Sequence, residues 1–134
     1  MLSFAKLDGL NIMNKTKGQL EADISALITK FEKEHLGRGP KEVRTFIIQD
    51  LILVRLKGIL TPAEEKLVSE VDGAQIVKQI RRRLIESSRS ILEKLIEDKI
   101  DAKVITLHTD ISSRTGERVI IFGMDRNVEE DLKK

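Results

Sequence analysis

The segment EVRTFIIQDLILVRLK, residues 42–57, predicts two β-strands joined by a tight turn. β-Branched and aromatic residues dominate Glu42–Ile48. From Leu51 to Lys57, the side chains Ile52, Val54 and Leu56 alternate with a second set, as the side chains on the two faces of a strand do. Gln49 and Asp50 supply a two-residue hairpin turn between them. The segment is therefore predicted to form an antiparallel hairpin.

A second hairpin is predicted near the end of the chain. Residues Val104–Ile111 and Glu117–Met124 have the composition of strands. The residues between them, Ser112–Gly116, suit a hairpin loop that contains a glycine with positive φ.

Capping signals predict helices before and between the hairpins. Thr16 and Gln19 match a capping box, and Gly37–Pro40 ends the helix that starts there. Thr61 is an N-cap followed by proline and glutamate, so a second helix begins after it.

A long helix is predicted from about Ala74 to Lys99. Apolar residues recur in it at helical spacing, which predicts the side that packs inward. The residues predicted on that inner side are Ile76, Val77, Ile80, Leu84, Ile91, Leu92 and Leu95.

The order α-β-β-α-α-β-β predicts an α+β fold, a four-stranded antiparallel sheet with helices packed on one face. The chain of 134 residues fits one domain, placed at residues 16–125. Residues 1–15 are interpreted as a weakly structured N-terminal extension, and residues 126–134 as a polar C-terminal tail.

The predicted strands are apolar on both faces. The segments Phe46–Ile48, Leu51–Val54 and Val119–Phe122 do not alternate with polar residues as a sheet with one wet face should. We therefore expect a second copy of the chain to bury the other face. The sequence favours a symmetric homodimer, formed either through that face or by pairing of the long helices.

Composition excludes several classes of protein. Cysteine is absent, which removes disulfides, thiolate metal sites and cysteine nucleophiles. The 24 basic and 22 acidic residues leave a net charge of +2, and the only aromatic residues are four Phe, so nucleic-acid binding is not indicated. No apolar run is long enough for a transmembrane segment, and the N-terminus does not resemble a signal peptide. We expect a cytoplasmic protein with a composition typical of thermophiles.

Basic residues concentrate on the long helix at Lys78, Arg81, Arg82 and Arg83. Guanidinium groups suit phosphate, carboxylate or bicarbonate, so this cluster could bind a small anion or an acidic partner. The alternative is solvated charge paired with neighbouring glutamates. Strand and loop residues that could join the cluster are Arg55, Lys57, Arg114 and Arg118.

His108 and Asp110 are predicted on one face of the third strand. They could move a proton or add to the anion or partner site, and a hydrogen-bonded polar pair is the alternative. No nucleophile accompanies them, and His35 with His108 makes a poor metal site. We therefore expect no enzymatic activity, metal or cofactor.

Several segments together resemble the MpsC-like family of small bacterial proteins. They are Gly37–Pro40, Arg55–Glu64, Val77–Arg83, His108–Ile111 and Glu117–Phe122, in family order. Two loops depart from the family pattern: Gln49-Asp50 lies where a glycine-containing turn is common, and Lys99–Asp101 lacks a glycine often found before the third strand.

The resemblance implies a context rather than a chemistry. The family is named for a sodium-linked membrane-potential-generating system, whose other components resemble an ion-translocating membrane subunit and a soluble protein of inorganic-carbon uptake. It thus implies an accessory protein of an ion-translocating or bicarbonate-uptake system, which a partner could hold at the inner face of the membrane. An anion- or nucleotide-sensing module is the alternative, and a hydrolase or lyase using His108 and Asp110 ranks below both.

Overall fold

Helices and strands follow one another in the predicted order, which confirms the α+β fold. The computed structural model describes residues 14–132, and all structural statements concern that range. The elements are α1 (Lys17–His35), β1 (Glu42–Ile48), β2 (Leu51–Lys57), α2 (Pro62–Val68), α3 (Gly73–Ile100), β3 (Val104–Ile111), β4 (Arg118–Met124) and a short 3-10 helix (Glu129–Asp131).

The first two helices of the described range begin with capping boxes, at Thr16 as predicted and also at the predicted N-cap Thr61. The Thr16 hydroxyl accepts a hydrogen bond from the Gln19 backbone N–H, and the Gln19 side chain accepts one from Thr16 N–H at 2.9 Å. Thr61 and Glu64 make the same reciprocal pair of bonds at the start of α2. These bonds satisfy backbone donors that have no partner within the helix.

The four strands form one antiparallel sheet in the order β1-β2-β4-β3. The last strand therefore lies between β2, which belongs to the first hairpin, and β3, its own hairpin partner. Phe46 pairs with Leu53, Leu53 with Ile121, and Ile121 with His108, so these residues form one row across the sheet.

The helices cover one face of this sheet and bury its apolar side chains. Along β2, for example, Ile52, Val54 and Leu56 are all fully buried. Complete burial of an aliphatic side chain contributes about 1.5–3 kcal/mol. The helix residues packed into the same core include Leu20, Ile24, Ile28 and Phe31 of α1 and Val77, Ile85, Leu92 and Ile96 of α3.

The inner side of α3 differs in part from the prediction. Ile76, Ile80 and Ile91 were predicted to face inward, and this is wrong because they are 46%, 48% and 44% exposed. Arg81 faces inward instead, at 1% exposure. Each of the three guanidinium nitrogens of Arg81 is hydrogen-bonded inside the protein, so this charged side chain can be buried on the inner side of the helix.

Two residues adopt the left-handed backbone conformation although neither is glycine. Gln49 has φ of 57° in the β1–β2 turn, and Asp101 has φ of 58° at the end of α3. Glycine adopts this conformation without steric cost, whereas residues with a side chain seldom do. The β1–β2 turn is held by Glu129, whose carboxylate accepts a hydrogen bond from Gln49 N–H at 2.9 Å.

Residues 126–132, which the sequence predicts to be part of a polar C-terminal tail over residues 126–134, pack against the domain. Val128 is fully buried and Leu132 is 7% exposed. Arg126 also donates a hydrogen bond to the Ile100 carbonyl at 2.7 Å. The predicted extension, residues 1–15, falls almost entirely outside the described residues.

Candidate functional site

The residues proposed from sequence for anion or partner binding do not form one cluster. Lys78, Arg82, Asp110 and Arg118 line one cleft. Arg81 lies in the core, and Arg83 is exposed on α3. The remaining residues of the prediction, Arg55, Lys57 and His108, belong to the sheet face that the helices leave uncovered.

Arg81 is a structural residue. Its Nε and Nη2 atoms bind both carboxylate oxygens of Glu64, at 2.9 Å and 2.6 Å. The same guanidinium donates hydrogen bonds to the carbonyls of Ile59 and Leu36, at 2.9 Å and 3.2 Å. Because Arg81 is buried and each of its guanidinium nitrogens is hydrogen-bonded, it joins α2 and α3 and is not available to a ligand.

The cleft lies between α3 and the β3–β4 hairpin and has a volume of about 100 Å³. Lys78 and Arg82 reach it from one flank of α3, because positions four apart lie on the same side of a helix. Thr109 and Arg118 reach it from the strands, and Arg118 Nη1 donates a hydrogen bond to Thr109 Oγ1 at 3.0 Å. The remaining lining residues are Ile85, Glu86, Asp110 and Ile111.

Arg118 is the deepest charged group in this cleft, with a residue exposure of 2%. Burial lowers its pKa, and the nearby carboxylate of Glu32 acts in the opposite direction. Its Nε and Nη2 atoms have no hydrogen-bond partner among residues 14–132. Unpartnered buried donors are rare, since each costs about 1–3 kcal/mol.

Glu32 of α1 is the acidic counterpart of Arg118 in the core. It is fully buried, and neither of its carboxylate oxygens is hydrogen-bonded within the described part of the chain. Burial raises its pKa, while the charges of Arg118 and Arg81 act to lower it. Nothing in the sequence pattern indicates the burial of Glu32, because a glutamate in an amphipathic helix is ordinarily solvated.

The side of the sheet that the helices within residues 14–132 leave uncovered, here called the open face, carries an apolar patch. On it Ile48, Leu51 and Phe46 are 51%, 40% and 38% exposed. Leu53 and Ile121 lie next to them in the sheet register. We define the open-face patch as Phe46, Ile48, Leu51, Leu53 and Ile121.

Charged residues border the open-face patch and are already paired within the chain. Arg55 binds both carboxylate oxygens of Glu117, each at 3.0 Å. The Arg55–Glu117 hydrogen bond is the main cause of the raised pKa of Arg55. Glu42 accepts a hydrogen bond from Arg44 at 2.8 Å and lies 3.9 Å from Lys57.

The structure does not bring His108 and Asp110 together as a hydrogen-bonded pair. The Asp110 carboxylate accepts a hydrogen bond from Ile111 N–H at 2.8 Å and lies 3.7 Å from Lys78 Nζ. His108 is exposed on the open face. His35 is on α1, where its ring lies 5.0 Å from that of Phe31. Within residues 14–132, no group of His, Asp and Glu residues could hold a metal ion.

A shallow apolar groove between α1 and α3 was not anticipated from the sequence. It has a volume of about 380 Å³ and is lined by Ala26, Leu27, Lys30, Phe31, Glu34 and Leu95.

None of the helices in the described part of the chain is long and apolar enough to cross a membrane.

Comparison with known proteins confirms the family resemblance. The family described as "Na+-translocating membrane potential-generating system (MpsC)" matches residues 16–126. Uncharacterized protein YbcI of Bacillus subtilis (strain 168) is 46% identical over 122 residues, covering 91% of this chain and 98% of that protein. Uncharacterized protein YrhF of the same strain is 27% identical over 110 residues, covering 81% and 89%. No solved structure matches significantly. With a family match over most of its length, the chain belongs to the MpsC family.

Proposed function

We propose that the chain is a non-enzymatic accessory protein of a membrane potential-generating system, and that it works as a homodimer. The family description supplies the link to membrane potential. The open-face patch is the observation that supports binding to another protein chain as the mode of action, because exposed apolar surfaces of this kind mark sites of protein association.

The positions of His108 and Asp110 favour a binding function over catalysis. A His–Asp pair acting on a substrate needs its two side chains within hydrogen-bonding distance and a nucleophile beside them. Here the Asp110 carboxylate is directed to Ile111 N–H and Lys78, and His108 is exposed on the open face. This arrangement supports a role that requires surfaces rather than a reaction centre.

A second copy of the chain is the proposed occupant of the open-face patch. In a symmetric dimer each patch contacts the same patch of the partner, which brings the border charges of both copies close together. The border charges are instead neutralised in pairs, Arg55 with Glu117 and Arg44 with Glu42. Two such faces could therefore stack as the sheets of a β-sandwich do, without repulsion at the border.

Sedimentation velocity of the purified chain tests the dimer. We expect the wild type to be dimeric at micromolar concentration and Ile48→Glu to raise the dimer dissociation constant roughly a hundredfold, since it places a charge within an apolar contact. Val71→Glu is the matched control, because Val71 is 98% exposed in the link between α2 and α3.

The alternative arrangement, pairing of the long helices, is tested in the same experiment. Ile80 is 48% exposed on α3, almost the same as Ile48, so Ile80→Glu introduces an equivalent change on another surface. A monomeric wild type would contradict the homodimer. Dissociation by Ile80→Glu but not by Ile48→Glu would show that the open face is not the interface.

The accessory role is tested by deleting the gene in cells that encode the whole system. We expect the sodium-dependent membrane potential, followed with a potential-sensitive dye, to fall on deletion. Wild type and Val71→Glu should restore it, and Ile48→Glu, expressed to the same level, should not. An unchanged potential in the deletion strain would contradict the proposal.

A further inference from the structure

The side of a guanidinium that carries Nε and Nη2 is used repeatedly in this protein to hold a carboxylate. In Arg55 this edge binds both oxygens of Glu117, and in Arg81 it binds both oxygens of Glu64. Two parallel hydrogen bonds to two oxygens are the preferred geometry for arginine and an oxyanion.

The same edge of Arg118 has no protein partner. Its unbonded atoms are Nε and Nη2, whereas Nη1 is held by Thr109, so the free edge is fixed in position by the hydrogen bond on the other side. Arg118 lines the cleft between α3 and the β3–β4 hairpin. Two buried donors without a partner, on a residue that lines a cleft, suit the binding of an oxyanion.

The walls of the cleft add positive charge from α3. Lys78 and Arg82 line it together with Arg118, against the acidic side chains of Asp110 and Glu86. Lys78 lies 3.7 Å from the Asp110 carboxylate, which is beyond ordinary hydrogen-bonding distance. Lys78 can therefore turn toward an anion without breaking a short hydrogen bond.

The volume of the cleft decides the size of the anion. About 100 Å³ is well below the roughly 300–1,000 Å³ typical of sites for larger organic ligands. The cleft has room for a group the size of phosphate, but it does not enclose a nucleoside.

We propose that this cleft binds a small oxyanion no larger than inorganic phosphate, with the Nε–Nη2 edge of Arg118 as the main contact and Lys78 and Arg82 as supporting cations. Carboxylate, bicarbonate and phosphate all present two oxygens to such an edge. The site is on the helix side of the sheet and is independent of the open face, so either proposal can fail while the other stands.

Calorimetric titration of the full chain with sodium phosphate, sodium bicarbonate and sodium acetate tests the proposal, with sodium chloride at equal ionic strength as the reference. We expect saturable binding of at least one oxyanion and none of chloride. Arg82→Ala should weaken binding about tenfold, the usual effect of losing one charge-assisted contact. Arg83→Ala is the matched control, because it removes the same charge from an exposed neighbour that does not line the cleft.

Nuclear magnetic resonance of the arginine Nε–H groups gives a direct view of Arg118 and does not depend on replacing this buried residue. We expect the Arg118 Nε–H signal to shift on addition of the bound oxyanion. Equal weakening by Arg82→Ala and Arg83→Ala, or no saturable binding, would overturn the proposal. So would an Arg118 signal that ignores every oxyanion but moves in Glu32→Gln, because Glu32 would then be its partner.

Discussion

Arg81 and Glu64 form a two-point ion pair, with Nη2 of Arg81 2.6 Å from Oε1 of Glu64. The arginine side chain is 2% exposed and the glutamate side chain 17%. The same carboxylate accepts a hydrogen bond from Thr61 N–H at the start of α2. One side chain therefore both caps α2 and neutralises the buried charge of α3.

We expect Glu64→Gln to lower the free energy of unfolding at neutral pH by about 3 kcal/mol, because it leaves the Arg81 charge buried without a counter-ion. Burial acts to raise the pKa of Glu64, but hydrogen bonds from Arg81 and Thr61 outweigh it and the pKa is lowered. The stabilisation is thus present above the ordinary value of 4.5 and is lost as pH falls through the lowered one. Urea unfolding should show the two curves converging in acid. A constant difference across pH would contradict this account.

Gly73, the first residue of α3, leaves no room for a side chain. A Cβ there would lie 1.6 Å from the Leu67 carbonyl oxygen, so Gly73→Ala must separate α2 from α3. We expect a loss of about 2–3 kcal/mol in urea unfolding. Gly18→Ala is the control, since within residues 14–132 nothing lies within 4 Å of its added Cβ. It should stabilise α1 by about 0.5 kcal/mol. Equal effects of the two substitutions would refute the steric argument.

Asp101→Gly should stabilise the protein by about 1 kcal/mol, because glycine adopts the left-handed conformation at the end of α3 without strain. The same substitution at Asp98, inside α3, should destabilise by about 0.5 kcal/mol. Thermal unfolding of both variants provides the measurement. A lower melting temperature for Asp101→Gly would show that the aspartate itself is needed there.

Glu32→Gln should change how stability depends on pH. Burial raises the pKa of Glu32 in the folded state, while Arg118 and Arg81 act against that rise. For a raised pKa, stability is fully present below the ordinary value of 4.5 and is lost as pH increases through the folded value. We therefore expect the wild type to lose stability relative to Glu32→Gln on going from acid to neutral pH. Parallel stability curves in urea unfolding would contradict the raised pKa.

Local chemistry was sufficient to predict most of the elements. The capping residues Thr16 and Thr61 and the positive φ of 71° at Gly116 all depend on neighbours within a few residues in the sequence. Because such interactions are encoded in short segments, both the order and the approximate limits of the helices and strands could be predicted.

The buried charges could not be predicted in the same way. Glu32, Arg81 and Arg118 come from α1, α3 and β4, and their burial depends on contacts between elements distant in sequence. Hydrophobic periodicity predicted Ile76 and Ile80 on the core-facing side of α3, because it assigns isoleucine to the core in preference to arginine. Tertiary hydrogen bonds to Arg81 reverse that order.

The candidate cleft was predicted in part. Lys78 and Arg82 are one helical turn apart, so their common flank follows from the sequence alone. Strand periodicity predicted Asp110 on the same face of β3 as His108. The Asp110 carboxylate instead accepts a hydrogen bond from Ile111 N–H and lies 3.7 Å from Lys78 Nζ, which strand periodicity does not predict. The contribution of Thr109 required the folded structure.

The position of β4 has a consequence for synthesis on the ribosome. Val54 of β2 pairs with Ile120 of β4, so the middle of the sheet forms only after the helices and the strand β3 that separate them have been translated. Until then the nascent first hairpin has an unsatisfied backbone edge, which other chains can pair with. Closure of the sheet therefore waits until β4 has left the exit tunnel, and chaperone protection is most useful before that moment.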